Sequence, residues 1–385
     1  MRFGIQRRRL LAAVVVTVVG VAALYTASTW GWAAVRGSTT GASGGVGSLP
    51  DVVERPPDSV ATTGDYGPVG TVSMVFAGTD VRDGLLGDLD PAWLTISSQT
   101  GDYRALEVDD LPQPAAGAVA VSPAGDRLAW VGEDGVVVYD PVTDDAAALE
   151  VPGATSVGTF SPDGELLLVL AEGLVVVDVA TGSVVAEVPG DRDDLRRTAW
   201  RPDNSAVDVV VGTELVTASV PGPEIARQPT DIPEGSQLAW SATGERLVSL
   251  QPARGARRLF VAELQGDRVS ASQRVSTTGI SLERLLGFSG RDSVTVIARA
   301  LESGAVQRVL DVPLVTGTIE DVTTLPDPGP NWAGTSTLAV ATDTLTFGST
   351  DFADRVWPWS YTARLVMCVL VGVFFLGLFV TRRPR

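Results

Sequence analysis

The side chains available for chemistry in this chain are carboxylates, hydroxyls and arginines. Its 385 residues include no histidine and no lysine, so all 29 basic residues are arginine. No Ser/His/Asp triad, histidine general base or His-ligated zinc can be assembled from such a chain. Without lysine there is no Schiff base and no phosphate-loop lysine. The single cysteine, Cys368, lies in an apolar C-terminal run, which excludes an intrachain disulfide and a soluble thiol nucleophile. Three kinds of site remain. Oxygen ligands for calcium could gather at Asp88-Leu89-Asp90 or at Asp191-Arg192-Asp193-Asp194, although neither has the EF-hand spacing. Two carboxylates could form a glycosidase pair, but no pattern selects two of the 46 acids. Trp130, Trp200 and Trp240, with Phe160 and Phe288 in related places, could stack on a sugar; the competing reading is that they fill gaps in the fold. No catalytic, cofactor-binding or metal residue is therefore assigned, no cofactor is expected, and the chain is not read as an enzyme.

The elements that would position these residues repeat. TFSPDGELLLVL (159–170) is preceded by AVSPAGDRLAWV (120–131) and followed by AWRPDNSAVDVV (199–210) and AWSATGERLVSL (239–250). The turn position falls at Gly125, Gly164, Asn204 and Gly244, at spacings of 39, 40 and 40. Asn in the third copy is informative, because after Gly it is among the residues that best tolerate positive φ. Weaker copies follow at 287–298 and 331–342. A second mark runs in step: Thr100-Gly101, Thr143-Asp144, Thr181-Gly182, Pro221-Gly222, Gln265-Gly266 and Thr316-Gly317 each separate two strand-like runs. The unit is a short strand, a Pro-Asp-Gly type turn, two apolar strands, a hairpin turn and a more polar outer strand. Four strands every 40 or so residues is the pattern of a β-propeller blade. Inner-strand pairs near 71–97, 127–139, 165–178, 206–219, 246–263, 292–312 and 336–348 predict seven blades, with six as the alternative because both terminal units are degenerate.

At Phe160-Ser161-Pro162-Asp163-Gly164 the chain resembles WD-repeat-like propellers whose repeats carry F-S-P-D-G, as in TolB-type periplasmic proteins. The likeness covers roughly 69–350 and implies a propeller that binds other proteins. It departs from true WD repeats: no Trp-Asp dipeptide closes a strand, and the histidine of their hydrogen-bonded tetrad cannot be supplied.

The two ends differ from the middle. Residues 10–35 and 365–380 are apolar and free of charge, and arginines flank both (Arg7, Arg8, Arg9; Arg364, Arg382, Arg383). The middle, 37–363, carries 46 acids against 20 arginines, a charge of −26. Twenty-six residues of helix span about 39 Å, more than the roughly 30 Å of bilayer hydrocarbon. By the positive-inside rule both basic ends face the cytoplasm and the acidic middle lies outside it. A cleaved signal peptide is the competing reading of the first segment. The expected organisation is a basic tail (1–9), a transmembrane helix or signal anchor (10–35), a flexible linker (36–68), a propeller ectodomain (69–355), an aromatic interfacial segment (356–364), a second transmembrane helix (365–381) and a basic tail (382–385). An acidic body argues against nucleic acid and favours a basic protein partner. The expected function is a membrane-anchored, extracytoplasmic, bacterial binding scaffold for a protein or envelope ligand, with the bilayer as a second partner. A carboxylate-dependent hydrolase and a structural subunit of a membrane complex are the alternatives.

Overall fold

The structure, a computed structural model, describes residues 47–56, 60–82, 89–265, 268–301, 306–315, 317–327 and 332–352. Its logic is visible in the strand Leu166–Leu170, which has no polar residue. Leu168 and Leu170 pack against Trp200, Val207 and Val209 on one side, whereas Leu167 and Val169 pack against Val138 and Val157 on the other. Successive side chains in a strand point to opposite faces. Both faces here are covered by neighbouring sheets, so the strand is apolar throughout.

Six sheets of four or five strands are arranged in this way among the described residues. Blade 2 runs Val119–Val121, Leu128–Val131, Val136–Asp140 and Asp145–Leu149. Blade 3 runs Ser156–Phe160, Leu166–Leu170, Leu174–Asp178 and Val184–Val188. Blade 4 runs Ala199–Trp200, Ala206–Val211, Glu214–Ser219 and Ile225–Pro229. In blade 5, Gln237–Trp240, Arg246–Ala253 and Ala256–Gln265 are followed by two short outer pieces, Arg268–Val269 and Gln273–Arg274. Blade 6 runs Ile280–Phe288, Ser293–Ala300, Gln307–Pro313 and Glu320–Thr324. Blade 1 takes Val72–Arg82, Leu89–Ser97 and Tyr103–Ala105 from the N-terminal side and its innermost strand, Ala339–Val340, from the C-terminal side. Each of the six apolar clusters straddles one blade boundary, so the core is a set of wedges between sheets.

The seven-bladed expectation is corrected to six. Residues 336–348 do not form a blade's strand pair. Val340 and Ala339 pair with Met74 and Val75, and the chain then turns into a 3-10 helix, Thr342–Phe347. Blade 1 lacks an inner strand of its own, and the last repeat-like segment supplies it and closes the ring.

The two predicted spans, 10–35 and 365–381, lie outside the described residues. Among the described residues no helix is long and apolar enough to cross a membrane; the α-helix there is the single turn Thr63–Tyr66. The flanking transmembrane helices therefore have no support in the structure.

Residues 36–68, read as a flexible linker, are packed where they are described. Leu49, Val53 and Val60 join the blade 6–blade 1 core. Val53 N–H donates to the Thr324 carbonyl (2.8 Å) and Thr324 N–H to that of Asp51 (2.9 Å), along the outer edge of blade 6. Ala105 N–H donates to the Ala61 carbonyl (2.8 Å) on the outer edge of blade 1. This segment covers two edge strands at the closure seam, positions that would otherwise offer unpaired N–H and C=O groups. Leu49 and Pro50 also pair in parallel with Ser349 and Thr350.

The repeated turn is built as its residues predict. Gly125, Gly164, Asn204 and Gly244 have φ of 73°, 74°, 60° and 71°. The serine that opens three of the four copies is the anchor. Ser161 Oγ accepts from Leu166 N–H (2.9 Å), Ser122 Oγ from Arg127 N–H (3.0 Å), and Ser241 Oγ from Arg246 N–H (3.1 Å). Each satisfies a backbone donor at the start of the returning strand, where an unpaired group would be costly.

Candidate functional site

Strands in each blade run antiparallel, so the serine turns and the outer hairpin turns share one face of the ring, and the blade-to-blade loops lie on the other. Both ends of the described chain sit against the outer hairpin turn of blade 1. Ser48 N–H donates to the Ser98 carbonyl (3.0 Å), and a Cβ on Gly101 would meet the Phe352 ring at 2.6 Å. Neither end of the described chain lies on the opposite face. Its loops carry more exposed acids, Asp109, Glu133, Asp134, Glu172, Asp191 and Glu234, than exposed arginines, Arg192, Arg196 and Arg254.

Two arginines of this face reach between blades. Asp194–Arg196 is a 3-10 turn in the loop entering blade 4. Arg196 Nη2 lies 1.6 Å from where a Cβ on Gly117, at the entry to blade 2, would stand. Arg284, on the innermost strand of blade 6, donates from Nη1 to the carbonyls of Thr335 (3.5 Å) and Leu338, both in the loop that closes the ring. Arg196 is exposed as a whole, but partial burial of its guanidinium, with Arg192 beside it, lowers its pKa. Burial pushes Arg284 down to about 10, and the charge of Arg196 adds to the shift. Neither arginine forms an ion pair with a carboxylate among the described residues.

Asp194 turns inward beneath this turn. It accepts from Asp191 N–H (3.1 Å) and lies 3.9 Å from Arg197. Burial raises its pKa; the charges of Asp191 and Glu234 add to the rise, while the Asp191 N–H and Arg197 oppose it. The Asp191–Asp194 loop is thus organised by internal hydrogen bonds, and no cluster of three or more potential metal ligands exists among the described residues. Asp88 lies outside the described residues, and Asp90 is exposed.

The tryptophans do not form a platform. Trp130, Trp200 and Trp240 are 0%, 8% and 8% exposed and fill the wedges. Phe160 is buried in the blade 2–blade 3 wedge, and Phe288 is half-buried against blades 5 and 6. Trp240 also anchors a network that sequence reasoning missed. Its Nε1–H donates to Asp208 Oδ2 (2.7 Å), Arg201 Nε–H donates to the same oxygen (3.1 Å), and Thr217 donates to Asp208 Oδ1. Asp208 is fully buried, and Arg201 lies 5.5 Å over the Trp240 ring. A tetrad with histidine is impossible here, yet an Asp–Trp–hydroxyl network with arginine as its cation still ties blade 4 to blade 5. Arg201 stands where the other turns have serine, which is the one sequence signal for it.

A pocket of about 410 Å³ opens beside blade 1 on the acidic face. Trp93, Leu106 and Leu111 give it apolar walls, and Glu107 and Asp109 lie at its edge. Trp93 Nε1–H is occupied by the Pro112 carbonyl (2.8 Å), so the polar side chains the pocket offers are the carboxylates of Glu107 and Asp109 and the amide of Gln113.

No protein-family model matches the sequence, and a search of curated proteins finds no match. Solved structures similar in fold include TolB from Agrobacterium tumefaciens (12% identity, 70% of this chain and 97% of that chain, TM-score 0.43). TolB from Acinetobacter baumannii (13%, 70% and 74%, 0.38) and hydrazine synthase from Kuenenia stuttgartiensis (16%, 56% and 67%, 0.41) are others. At this level of similarity the six-bladed propeller rests on the strand pairing described above.

Proposed function

We propose that this protein is a binding scaffold that acts without chemistry of its own, held at a cell membrane with the propeller outside the cytoplasm. The observation that carries the reading is the placement of the chain ends. Leu49–Pro50 and Ser349–Thr350 pair side by side, so any tether holds one region of the ring and leaves the opposite acidic face to a partner. The reading of location rests on the sequence, in which arginine-flanked apolar ends enclose an acidic middle. An acidic rim, and a pocket with apolar walls and carboxylates at its edge, suit a partner with exposed arginine or lysine among apolar side chains.

The test is co-purification of the full chain from native membranes, with two sets of charge-neutralising variants. Glu107→Gln, Asp109→Asn and Glu133→Gln alter the free face; Asp163→Asn, Asp178→Asn and Glu224→Gln alter the other. Loss of a co-purifying protein with the first set alone supports the scaffold. Equal loss with both sets, or turnover by the full chain on glycan or ester panels, contradicts it.

A further inference from the structure

We infer that the outer strand of blade 2, Asp145–Leu149, takes an extended basic segment of a partner protein as a fifth strand. The inference rests on the scaffold reading for the partner's being a protein, and it names the contact. The ring itself shows that its outer edges accept such an addition. Residues 51–53 lie along the outer strand of blade 6 and residues 61–62 along that of blade 1, both bridged in parallel. On blade 3, Gly222 N–H from the next blade's outer hairpin donates to the Val185 carbonyl (3.1 Å). The outer strand of blade 4 carries Arg227 and ends in Pro229, which has no N–H, and that of blade 5 is split into two pieces of two residues. Covering, proline, basic charge and brevity are the usual ways of blunting an edge. Blade 2 uses none of them. Asp145–Leu149 pairs with Val136–Asp140 in an unbroken register, and Asp145, Ala146, Ala147 and Ala148 are all exposed. Gly182 of blade 3 approaches the buried Leu149 end, but no main-chain bond reaches the strand's outer edge among the described residues. Alternate residues of an antiparallel pair turn their N–H and C=O away from the partner strand, so this edge offers donors and acceptors to an added chain.

Charge selects the occupant. Asp144 and Asp145 stand at one end of the strand and Glu150 at the other, all exposed. The turn bearing Glu133 and Asp134 adjoins the second end, where a Cβ on Gly135 would stand 2.4 Å from the Leu149 carbonyl oxygen. From 128 to 191 the sequence holds twelve acids and no arginine, so blades 2 and 3 supply almost no balancing cation of their own. A second copy of this strand would bring acid towards acid in either direction, which opposes pairing. A partner strand with lysine or arginine at both ends sets a cation near each acidic end. Asp145 and Glu150 are five positions apart, about 17 Å along a strand, and this sets the spacing of the two basic residues. The alanines between them leave room for β-branched side chains on both faces of the added strand.

The test is fluorescence anisotropy of a labelled Lys-Val-Thr-Val-Thr-Lys peptide titrated with the purified full chain. Saturable binding is expected, and about 0.5 M chloride should weaken it. Proline at one or other of the two central peptide positions should weaken it about fivefold or more, because one of two successive N–H groups must face the edge. Asp145→Asn combined with Glu150→Gln should weaken it about three- to tenfold. Ala147→Pro and Ala148→Pro are made separately; one of them removes an outward N–H, should melt like the natural protein, and should lose binding. No saturable binding, or binding indifferent to both peptide prolines, overturns the inference. So does self-association of the full chain that Ala147→Arg abolishes, which would assign the edge to a second copy. The scaffold reading survives any of these failures if the charge variants of the free face still release a co-purifying protein, and it falls separately if they do not.

Discussion

Replacing Asp208 with alanine removes the acceptor for three donors at the junction of blades 4 and 5. Trp240 Nε1–H is left buried and unpaired, and Arg201, whose side chain is 28% exposed, loses its counter-charge. Removing one partner of a fully buried ion pair costs about 3–5 kcal/mol. Water can recover part of the arginine's loss here, so the expected cost is about 2–4 kcal/mol, which includes the stranded indole donor. Asp208→Asn retains one oxygen acceptor but not the charge and should cost about 1–2 kcal/mol. Trp240→Phe leaves the ion pair in place, so a double-mutant cycle with Arg201→Gln should show weak coupling, whereas Asp208→Asn with Arg201→Gln should show strong coupling. Urea unfolding of the full chain followed by far-UV circular dichroism measures all of these. A cost below about 1 kcal/mol for Asp208→Ala would refute the claim that this network ties the two blades.

Three further outcomes follow from the same packing. Leu167→Ala and Leu168→Ala should each cost about 2–5 kcal/mol in urea melts, because the two residues fill different wedges and both are fully buried; a cheap substitution at either would mean that one face of the strand is open. Gly125→Ala should destabilise by more than about 2 kcal/mol, since φ is +73° and its Cβ would lie 1.9 Å from the Val72 carbonyl oxygen, whereas Asn204→Gly should change stability by less than about 1 kcal/mol. Asp178 accepts from the hydroxyl and N–H of Thr181, which hold its carboxyl below the usual range. A depressed folded pKa contributes stability that is present above the unfolded value of about 4 and is lost as pH falls through the folded one. Thr181→Val should raise the Asp178 pKa in an NMR titration; an unmoved pKa would assign the shift elsewhere.

Much of the ring can be read from local chemistry. The serine turns are legible because each needs a residue at positive φ and a hydroxyl for a buried N–H, and Asn204 is where that requirement shows through a substitution. The middle strand pairs of all six blades are legible because wedge packing removes the need for polar residues in strands such as Leu166–Leu170. The blade count is not legible in the same way. Ala339–Val340 belongs to blade 1 through a partner at Met74–Val75, and nothing near residue 340 states that. The segment 47–68 has the glycine, serine and proline of a linker, but its few apolar residues, Leu49, Val53 and Val60, decide its place at the seam. Asp208 and Trp240 are 32 residues apart, and Arg196 meets Gly117 from two blades away. Such contacts are set by ring geometry, so composition and spacing pass over them.

The ring has six blades and is closed by the strand Ala339–Val340. Met74→Cys with Val340→Cys, made in a Cys368→Ser background, places the two thiols on directly opposed residues of that closure. Mild oxidation of the folded full chain should give an intramolecular disulfide, seen as a reductant-sensitive change in gel mobility. A folded protein in which these cysteines stay free, while Val340→Cys cross-links instead to a cysteine placed within 341–348, would mean that this segment forms a hairpin of its own, and a seventh blade would replace the closure described here.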